Sequence, residues 1–286
     1  MENIGTSTRL CAVIGNPISH SLSPAIHNAG YEALGLNFVY VAFRVEDLKH
    51  AIEGMRALDN FRGMSVTIPH KVEAIKYLDD IADVDRSIGS INTIVNEAGT
   101  LIGLGTDGPG AMKAITDKGV EIDGKNVLIL GSGGAARAIS FTLARDTKLD
   151  KLAILDVNEP MLGGLVADLE AGTDAAIESG TLDNVSLGRA MDEADIIIHC
   201  TPVGMHPNDN VSLVDEDMFR PGQTVLDIVY NPLETRLLAG ARLKGCKVIS
   251  GVEMFINQAV LQFERFTGAD APADVMRSVV LKHLGI

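Results

Sequence analysis

Short apolar runs alternate with amphipathic stretches along most of the chain, and this alternation predicts strands and helices in turn. In the first half, the predicted strands lie at 9–14, 38–43 and 63–68, and a hairpin follows at 91–96 and 101–105. In the second half, they lie at 125–130, 151–156, 195–200, 224–229 and 247–250. Because the strands alternate with helices, the sequence predicts the α/β class with mostly parallel sheet.

Helices are predicted after the first and third strands and near the end of the chain. The segment SPAIHNAGYEAL has Ser23 as its expected N-cap and Pro24 in its first turn. The segment HKVEAIKYL, after the third strand, is also predicted to be helical. Two further helices, MFINQAVLQFERF and APADVMRSVVLKHLG, are predicted to close the sequence.

The length of the chain favours two domains, because 286 residues are many for a single compact core. The character of the sequence changes after Asp107, which lies among glycines. We therefore predict a first domain at 1–107 and a second at 108–254. The helices at about 255–286 are expected to complete the first domain.

Composition and charge exclude several classes of protein. The formal net charge is −14 and the charges are dispersed, so nucleic-acid binding is not expected, because phosphate contacts need clustered Lys and Arg. Cys11, Cys200 and Cys246 are widely spaced, which predicts neither a disulfide framework nor a metal site and fits a reducing cytoplasm. No signal peptide or membrane span is expected. The sequence leaves open whether the chain forms a homodimer.

A glycine-rich turn, GSGGAAR at 131–137, follows a strong apolar strand and opens an Ala-rich helix. Glycines let the backbone turn sharply and approach a pyrophosphate, whose charge a helix N-terminus stabilises. This context favours binding of NAD or NADP. The alternative is a tight turn between a strand and a helix that binds no ligand.

The next predicted strand ends in Asp156, where dinucleotide-binding folds place the residue that contacts the ribose. A carboxylate there accepts hydrogen bonds from the ribose hydroxyls of NAD and repels the 2′-phosphate of NADP. The segment LDVNEPM contains no Lys or Arg to hold that phosphate. We therefore expect NAD rather than NADP. The alternative is that Asp156 only caps the helix that begins near Asn158.

Three polar residues, Ser21, Lys71 and Asp107, each follow the end of a predicted strand. Ligands of α/β sheets bind beyond the carboxyl ends of the strands, so these side chains could converge on one ligand. Each residue also has a simpler interpretation: a helix cap, a surface charge and a turn residue.

Taken together, eight stretches of the sequence resemble the shikimate dehydrogenase family, which includes the quinate/shikimate dehydrogenases. They run in family order from residue 10 to about 266 and read GNPISHSLSPAIHN, GMSVTIPHK, SIGSINT, TDGPG, GSGGAARA, TPVGM, DIVYNPLETRLL and GVEMFINQA. The resemblance implies a substrate domain, a Rossmann domain and a cleft between them. It also implies reversible hydride transfer between a nicotinamide cofactor and shikimate, which gives 3-dehydroshikimate.

The resemblance assigns roles to individual residues. Lys71 would give and take the proton at the reacting oxygen, with Asp107 as its partner. The substrate would be bound by polar side chains, namely Ser21, Ser23, Ser65, Thr67, Asn92, Tyr230 and Gln258. The cofactor would be bound by the glycine turn and by residues that follow other strands, namely Gly131, Ser132, Gly133, Gly134, Ala135, Asp156, Thr201, Met205, Val229 and Gly251.

The sequence departs from the commonest family pattern at several positions. Ser65 and Gly105 each stand where many members have Asn, and His199-Cys200 replace Asn-Ala. The N-R-T segment that clamps phosphate in NADP-dependent members is replaced by residues 156–158, Asp-Val-Asn. This last departure places the chain nearer the NAD-using quinate/shikimate type. Action on quinate or an aminoshikimate, and a sensor on the same fold that has lost turnover, remain as alternatives.

Overall fold

The computed structural model describes residues 4–285, and these form two compact units. The first unit comprises the chain up to Thr106 together with the chain from Gln258 onward, and the second comprises Asp107–Asn257. These bounds lie next to the predicted ones, while the roles assigned to the two domains stay predictions. Within 4–285, no helix combines the length and the apolar character that crossing a bilayer requires.

Strands and helices alternate along the chain, as predicted. The strands are β1 (Arg9–Gly15), β2 (Phe38–Arg44), β3 (Phe61–Val66), β4 (Asp80–Ile81), β5 (Thr93–Glu97), β6 (Thr100–Leu104), β7 (Asn126–Leu130), β8 (Lys151–Asp156), β9 (Ile177–Thr181), β10 (Ile196–His199), β11 (Thr224–Asp227) and β12 (Lys247–Ile249). The helices are α1 (Ser23–Ala33), α2 (Leu48–Arg56), α3 (Asp83–Ile88), α4 (Asp107–Thr116), α5 (Gly134–Asp146), α6 (Glu159–Gly172), α7 (Asn184–Glu193), α8 (Arg236–Leu243), α9 (Gly251–Thr267) and α10 (Ala273–His283).

The first unit is built on a six-stranded mixed sheet in the order β2-β1-β3-β5-β6-β4. β1 pairs in parallel with β2 and β3, whereas β5 pairs antiparallel with β3 and β6. The predicted hairpin is thus confirmed as β5 and β6. Because β1 and β3 are parallel neighbours, their carboxyl ends place Gly15 and the segment after Val66 at the same edge of the sheet.

An aromatic cluster fills the space between this sheet and the helices that cover it. His27 of α1 stacks on Tyr40 of β2, with ring centroids 4.3 Å apart, and Tyr31 lies 5.2 Å from Phe263 of α9. His27 is fully buried, neither ring nitrogen has a hydrogen-bond partner within the described chain, and burial lowers the pKa of the ring to about 3. The imidazole therefore packs here as a neutral ring.

The second unit is built on a six-stranded parallel sheet in the order β12-β11-β10-β7-β8-β9. This is the strand order of a dinucleotide-binding fold, in which the order reverses between the first and fourth strands, here β7 and β10. The residues that follow these two strands, Gly131 and Cys200, therefore lie at the switch point where such folds bind ligands. The predicted α/β class is confirmed in both units.

Two of the helix predictions are wrong in detail. Ser23 is the first residue of α1 rather than its cap, because the cap position is Leu22 and no side chain bonds there. Instead, the Ser23 N–H donates to Ser21 Oγ at 3.3 Å. The predicted helix HKVEAIKYL is reduced to a 3-10 helix at Glu73–Tyr77, because a turn in which the His70 N–H donates to the Thr67 carbonyl takes up its start.

Two strands were missed: β4, which has only two residues, and β9, whose sequence, IESGT, contains no apolar run. β9 pairs in parallel with β8 and lies at the edge of the sheet, where its side chains are mostly exposed or half-buried. An edge strand needs no continuous buried face, so its hydrophobic signal is weak.

Candidate active site

Lys71 lies in a turn that the sheet of the first unit fixes at both ends. The Thr67 N–H donates to the Ile14 carbonyl at 2.9 Å, which joins the segment after β3 to β1. The Ile91 N–H donates to the Lys71 carbonyl at 3.0 Å. Lys71 is half-buried, so its backbone is held while its side chain remains accessible. A fixed cation at a sheet edge is suited to proton transfer at a bound oxygen.

Asn92 lies at the centre of a buried hydrogen-bond network in the same unit. Its Oδ1 accepts from the Thr106 N–H at 2.8 Å and from Thr93 Oγ1 at 3.0 Å. Its Nδ2 donates to Thr106 Oγ1 at 2.9 Å, and Gln258 Oε1 lies 3.4 Å from the same hydroxyl. Every member is 8% exposed or less. Burial without charge makes these side chains dependent on one another for their hydrogen bonds.

A second branch runs through Ser65 and Gln262. The Tyr40 hydroxyl donates to Ser65 Oγ at 2.6 Å, and Ser65 donates to Gln262 Oε1 at 2.7 Å. Gln262 Nε2 then donates to Thr93 Oγ1 at 3.0 Å, which joins this branch to Asn92. We call the set Tyr40, Ser65, Asn92, Thr93, Thr106, Gln258 and Gln262 the Asn92 network.

The predicted substrate residues of the first unit thus fall into three groups. Ser65, Asn92 and Gln258 belong to the Asn92 network, and Ser23 lies within hydrogen-bond reach of Tyr40 at its edge. Ser21 joins through its bond to the Ser23 N–H. Thr67 stands apart from these bonds and packs its methyl against Gly15, where a Cβ would come within 2.5 Å of it.

Sequence reasoning missed four members of the network: Tyr40, Thr93, Thr106 and Gln262. Gln262 could have been found, because it lies one helical turn after Gln258 and shares its face of α9. The other three carry no signal of their own, since each reads as an ordinary strand or loop residue. Their role follows only from the arrangement of the sheet, in which Tyr40 lies in β2, Thr93 lies in β5 and Thr106 follows β6.

Gly105, one of the departures from the family pattern, faces a carboxylate. A Cβ at position 105 would come within 2.5 Å of Asp85 Oδ1, and Asp85 is 5% exposed. A larger residue at 105 would therefore displace Asp85 or distort the backbone. The position of the buried Asp85 carboxylate therefore requires that residue 105 has no side chain.

In the second unit, the glycine turn has the geometry of an anion-binding loop. Gly131 has φ +108°, a backbone conformation that favours glycine, and α5 begins at Gly134 without a side-chain cap. A Cβ on Gly133 would meet no atom within 4 Å, so open space lies in front of the helix N-terminus. The uncapped N–H groups of this first turn, which includes Ala135, are suited to hold a pyrophosphate.

Asp156 is bonded to this turn. Its Oδ2 accepts from both the N–H and the hydroxyl of Ser132, each at 2.6 Å, and its Oδ1 accepts from the Asn158 N–H at 2.9 Å. The cap of α6 is Asn158, whose side chain accepts from the Met161 N–H at 3.1 Å. The alternative in which Asp156 only caps this helix is therefore wrong.

Three further cofactor candidates lie at the same edge of the parallel sheet. A Cβ on Gly131 would come within 3.1 Å of Thr201 Cγ2, so Thr201 borders the glycine turn. A Cβ on Gly251 would come within 2.5 Å of the Ile228 and Val229 carbonyl oxygens, so only glycine lets α9 begin there. Met205, the fourth candidate, is 48% exposed in the loop after Thr201.

Asp107 and Tyr230 both belong to the second unit. Asp107 is the first residue of α4 and is 7% exposed. Burial raises the pKa of the Cys200 thiol, and the charges of Asp227 and Asp107 raise it further. The Tyr230 ring stacks on Phe255 at 4.7 Å, and burial raises its pKa.

Groups of His, Cys, Asp and Glu that could hold a metal ion are absent from residues 4–285. His70, which adjoins Lys71, is 6% exposed, and its Nε2 lies 2.9 Å from the Val45 carbonyl oxygen. Its ring is thus a packing group of the turn.

Comparison with known proteins identifies the family. A family model described as the shikimate dehydrogenase substrate binding domain matches residues 13–94, and one described as the shikimate 5'-dehydrogenase C-terminal domain matches 251–281. The shikimate dehydrogenase (NADP(+)) of Moorella thermoacetica is 42% identical over 287 residues, which cover 100% of the chain and 97% of that protein. The chain belongs to the shikimate dehydrogenase family.

Solved structures extend this result. Shikimate 5-dehydrogenase from Listeria monocytogenes, in complex with shikimate and NAD, superposes with a TM-score of 0.91 at 36% identity and covers 98% of the chain and 99% of its own. Quinate dehydrogenase from Corynebacterium glutamicum, in complex with NAD, has a TM-score of 0.88 at 28% identity and covers 96% of the chain and 99% of its own. The predicted class, an NAD(P)-dependent shikimate/quinate dehydrogenase, is confirmed.

Proposed function

We propose that this member of the shikimate dehydrogenase family interconverts shikimate and 3-dehydroshikimate and prefers NAD to NADP. The observation that supports shikimate as the substrate is the Asn92 network, a set of neutral donors and acceptors buried beside the Lys71 turn. A polyol acid offers several hydroxyl groups, and a site of this kind selects for them because each missing hydroxyl would leave a buried polar group unpaired.

Individual residues divide this recognition. Ser65 already donates to Gln262 and accepts from Tyr40, so it can only accept a further hydrogen bond, as a substrate hydroxyl would provide. Asn92 and Gln258 supply amide groups for the remaining ring hydroxyls. Ser21 and Ser23 are assigned the substrate carboxylate, Thr67 and Tyr230 complete the set, and these roles rest on the resemblance of the motifs.

Lys71 carries the proton transfer in this proposal, with Asp107 as its acidic partner. When the carbonyl is reduced, hydride arrives at carbon, negative charge develops on oxygen, and the Lys71 ammonium gives that oxygen a proton. When shikimate is oxidised, the neutral amine takes the hydroxyl proton as hydride leaves the same carbon. A bound nicotinamide ring supplies or accepts this hydride.

The residues present fit a dinucleotide. The open space in front of Gly133 and the uncapped start of α5 suit the pyrophosphate, and Gly131, Ser132, Gly134 and Ala135 complete the turn. Asp156 uses three of its roughly four acceptor sites on Ser132 and Asn158, which leaves one for a ribose hydroxyl. Thr201, Met205, Val229 and Gly251 are assigned to the remainder of the cofactor.

Preference for NAD rests on charge. Asp156 and Glu159 put two carboxylates near the ribose position, and residues 156–161 contain no Lys or Arg. Arg137, at the end of the glycine turn segment, pairs with Asp168 and is only 16% exposed. The curated relatives carry NADP(+) in their names, whereas the Listeria and Corynebacterium structures hold NAD, so both cofactors occur on this fold.

Initial rates with shikimate and with quinate, each against NAD and NADP, test the proposal. We expect the highest kcat/KM with shikimate and NAD. Asp156→Asn should raise the ratio of kcat/KM with NADP to kcat/KM with NAD by about tenfold. The substitution removes a negative charge that repels the 2′-phosphate of NADP. Asp183→Asn is the matched control, since Asp183 also accepts backbone N–H groups and lies at the cap of α7. A wild-type preference for NADP would overturn the cofactor assignment.

Quinate is the second candidate substrate, because two positions where many family members have Asn, Ser65 and Gly105, lie in the first unit. Position 65 offers a single acceptor, and the space beside position 105 is taken by Asp85. A higher kcat/KM with quinate would favour this candidate. Binding of NADH without turnover of either acid would instead indicate a sensor. The three cysteines are free, which supports the expected cytoplasmic location. Measurement of the molecular mass in solution would decide between a monomer and a homodimer.

A further inference from the structure

The carboxyl ends of β10 and β11 hold a buried chain of hydrogen bonds that the proposed mechanism does not use. His199 Nδ1 lies 2.9 Å from Asp227 Oδ1, and His199 Nε2 lies 2.5 Å from Thr201 Oγ1. His199 is 1% exposed and Asp227 is fully buried. We call Asp227, His199 and Thr201 the His199 chain.

The direction of these hydrogen bonds follows from the chemistry of the groups. A carboxylate only accepts, so His199 Nδ1 must carry a proton. In a neutral imidazole, Nε2 is then a lone pair, and the Thr201 hydroxyl must donate to it. With the ring neutral, the Thr201 proton is committed to Nε2, and the Thr201 oxygen can act toward any other partner only as an acceptor. The Val203 N–H already donates to it at 3.2 Å.

Asp227 keeps the imidazole in place through its other contacts. Its Oδ1 also accepts from the Val229 N–H at 3.0 Å, and its Oδ2 accepts from Thr235 Oγ1 at 2.6 Å. Thr235 in turn caps α8, so the carboxylate is tied to the strand end and to a helix. Rotation of the His199 ring would break two bonds at once, and the ring is therefore fixed.

Within the His199 chain, Thr201 is the residue that borders the glycine turn. Its Cγ2 would lie 3.1 Å from a Cβ placed on Gly131, at the switch point between β7 and β10. Thr201 is half-buried, whereas the two residues behind it are enclosed. The His199 chain therefore connects the buried Asp227 carboxylate by hydrogen bonds to Thr201, at the edge where α/β sheets bind ligands.

We propose that His199 is a positioning residue that makes Thr201 a fixed hydrogen-bond acceptor for the nicotinamide dinucleotide. The group it would take is a donor, either a ribose hydroxyl or the carboxamide NH2. This inference rests on the proposed function, which assigns the dinucleotide to the glycine turn. In the family pattern that the sequence resembles, Asn stands at the position that His199 occupies here.

Two substitutions test the hydrogen bonds of the two His199 ring nitrogens separately. In His199→Asn, the amide reaches the position of Nδ1, so the bond to Asp227 stays and the bond to Thr201 is lost. In His199→Gln, the amide reaches the position of Nε2, so the bond to Thr201 stays and Asp227 loses a donor. His206→Asn is the matched control, because His206 is exposed in the same loop.

Binding of NADH, followed by its fluorescence, is the readout that needs no turnover. We expect His199→Asn to raise the Kd about five- to tenfold, as loss of one hydrogen bond does, with the KM for shikimate unchanged. His199→Gln should bind within about twofold of the wild type but unfold at a lower temperature. Adding His199→Asn to Thr201→Val should weaken binding no further, because the two share one interaction. An unchanged Kd in His199→Asn would overturn the inference.

The wild-type protein offers a second test that does not depend on any variant folding. With ¹⁵N-labelled histidine, NMR should show His199 protonated at Nδ1 and unprotonated at Nε2 at neutral pH. The opposite tautomer, or a ring protonated at both nitrogens, would overturn the inference. Failure of the proposed function has a different signature, since the wild type would then bind no NADH and oxidise neither acid, whatever the tautomer.

Discussion

The two units assemble their polar residues in opposite ways. In the first unit, neutral side chains bond to one another in the buried Asn92 network, and removal of any member leaves others unpaired. In the second unit, the glycine turn contributes backbone N–H groups and empty space instead of side chains. A site for hydroxyl groups needs side-chain partners on every side, whereas a site for a pyrophosphate needs close approach to a helix N-terminus. The Asn92 network should therefore be sensitive to the loss of a side-chain group, and the glycine turn to the addition of one.

The largest expected effect is that of Lys71→Ala. Turnover should fall by about three orders of magnitude, because proton transfer by a positioned group contributes about 10²–10⁴-fold. Binding of NADH should be unchanged, since the glycine turn lies in the other unit. Lys76→Ala is the control, because Lys76 is an exposed lysine five residues further on in the 3-10 helix. Turnover near that of the wild type would remove Lys71 from the mechanism.

The second prediction concerns acid stability and His27. Burial lowers its pKa from 6.5 to about 3, so the unfolded chain binds a proton that the folded chain refuses between these values. The stability contributed by the neutral ring is complete above pH 6.5 and is lost as the pH falls toward 3, by about 1.4 kcal/mol per pH unit. Denaturant unfolding from pH 7 to pH 4.5 measures this loss.

His27→Phe should flatten that dependence, because a phenyl ring keeps the stacking on Tyr40 and has no proton to bind. His20→Phe, at an exposed position, should leave it unchanged. An equally steep loss of stability in His27→Phe would assign the acid sensitivity to other groups.

Two glycines of the second unit sharpen the comparison, since each is changed by one added methyl group. Gly251→Ala should destabilise the protein by about 2 kcal/mol, because its Cβ would collide with the Ile228 and Val229 carbonyl oxygens at 2.5 Å. Gly133→Ala should leave stability within about 0.5 kcal/mol, since its Cβ enters open space, and should weaken NADH binding about tenfold. Thermal unfolding and NADH titration of both variants distinguish a packing glycine from a binding one. Normal NADH affinity in Gly133→Ala would contradict the assignment of that space to the cofactor.

The smallest effect is expected for loss of one hydroxyl in the first unit. Ser65→Ala removes the acceptor of Tyr40 and the donor to Gln262, and should destabilise the protein by about 1–2 kcal/mol. Ser140→Ala is the matched control, because Ser140 is also buried but its hydroxyl has no partner within the described chain. Urea unfolding of the two variants compares them directly. Equal stabilities would mean that the Asn92 network does not hold the first unit together.

Much of the fold could be predicted, because most elements have strong local signals. The apolar runs of β1, β7 and β10 and the glycines between β7 and α5 are visible in the sequence and lie where the structure has them. The 3-10 helix at Glu73–Tyr77 and the edge strand β9 could not be predicted, since one depends on a turn stabilised by β1 and the other has no buried face. Local pattern is informative only where burial imposes it.

The candidate site divides in the same way. Lys71, Asn92, Gly131 and Asp156 could be named from the sequence because they occur in recognisable motifs at strand ends. Tyr40 and Thr106 could not, because their partners lie 25 and 14 residues away along the chain.

The sequence by itself determined the family, the α/β class, the glycine turn and the identity of the charged residues, since these depend on residue type and short spacing. Only the tertiary structure decided that Ser65 is shared between Tyr40 and Gln262, that Asp85 occupies the space beside Gly105, and that His199 links Asp227 to Thr201. The physical reason is that a hydrogen bond depends on distances of about 3 Å between groups that strand pairing brings together. Spacing along the chain carries no record of those distances.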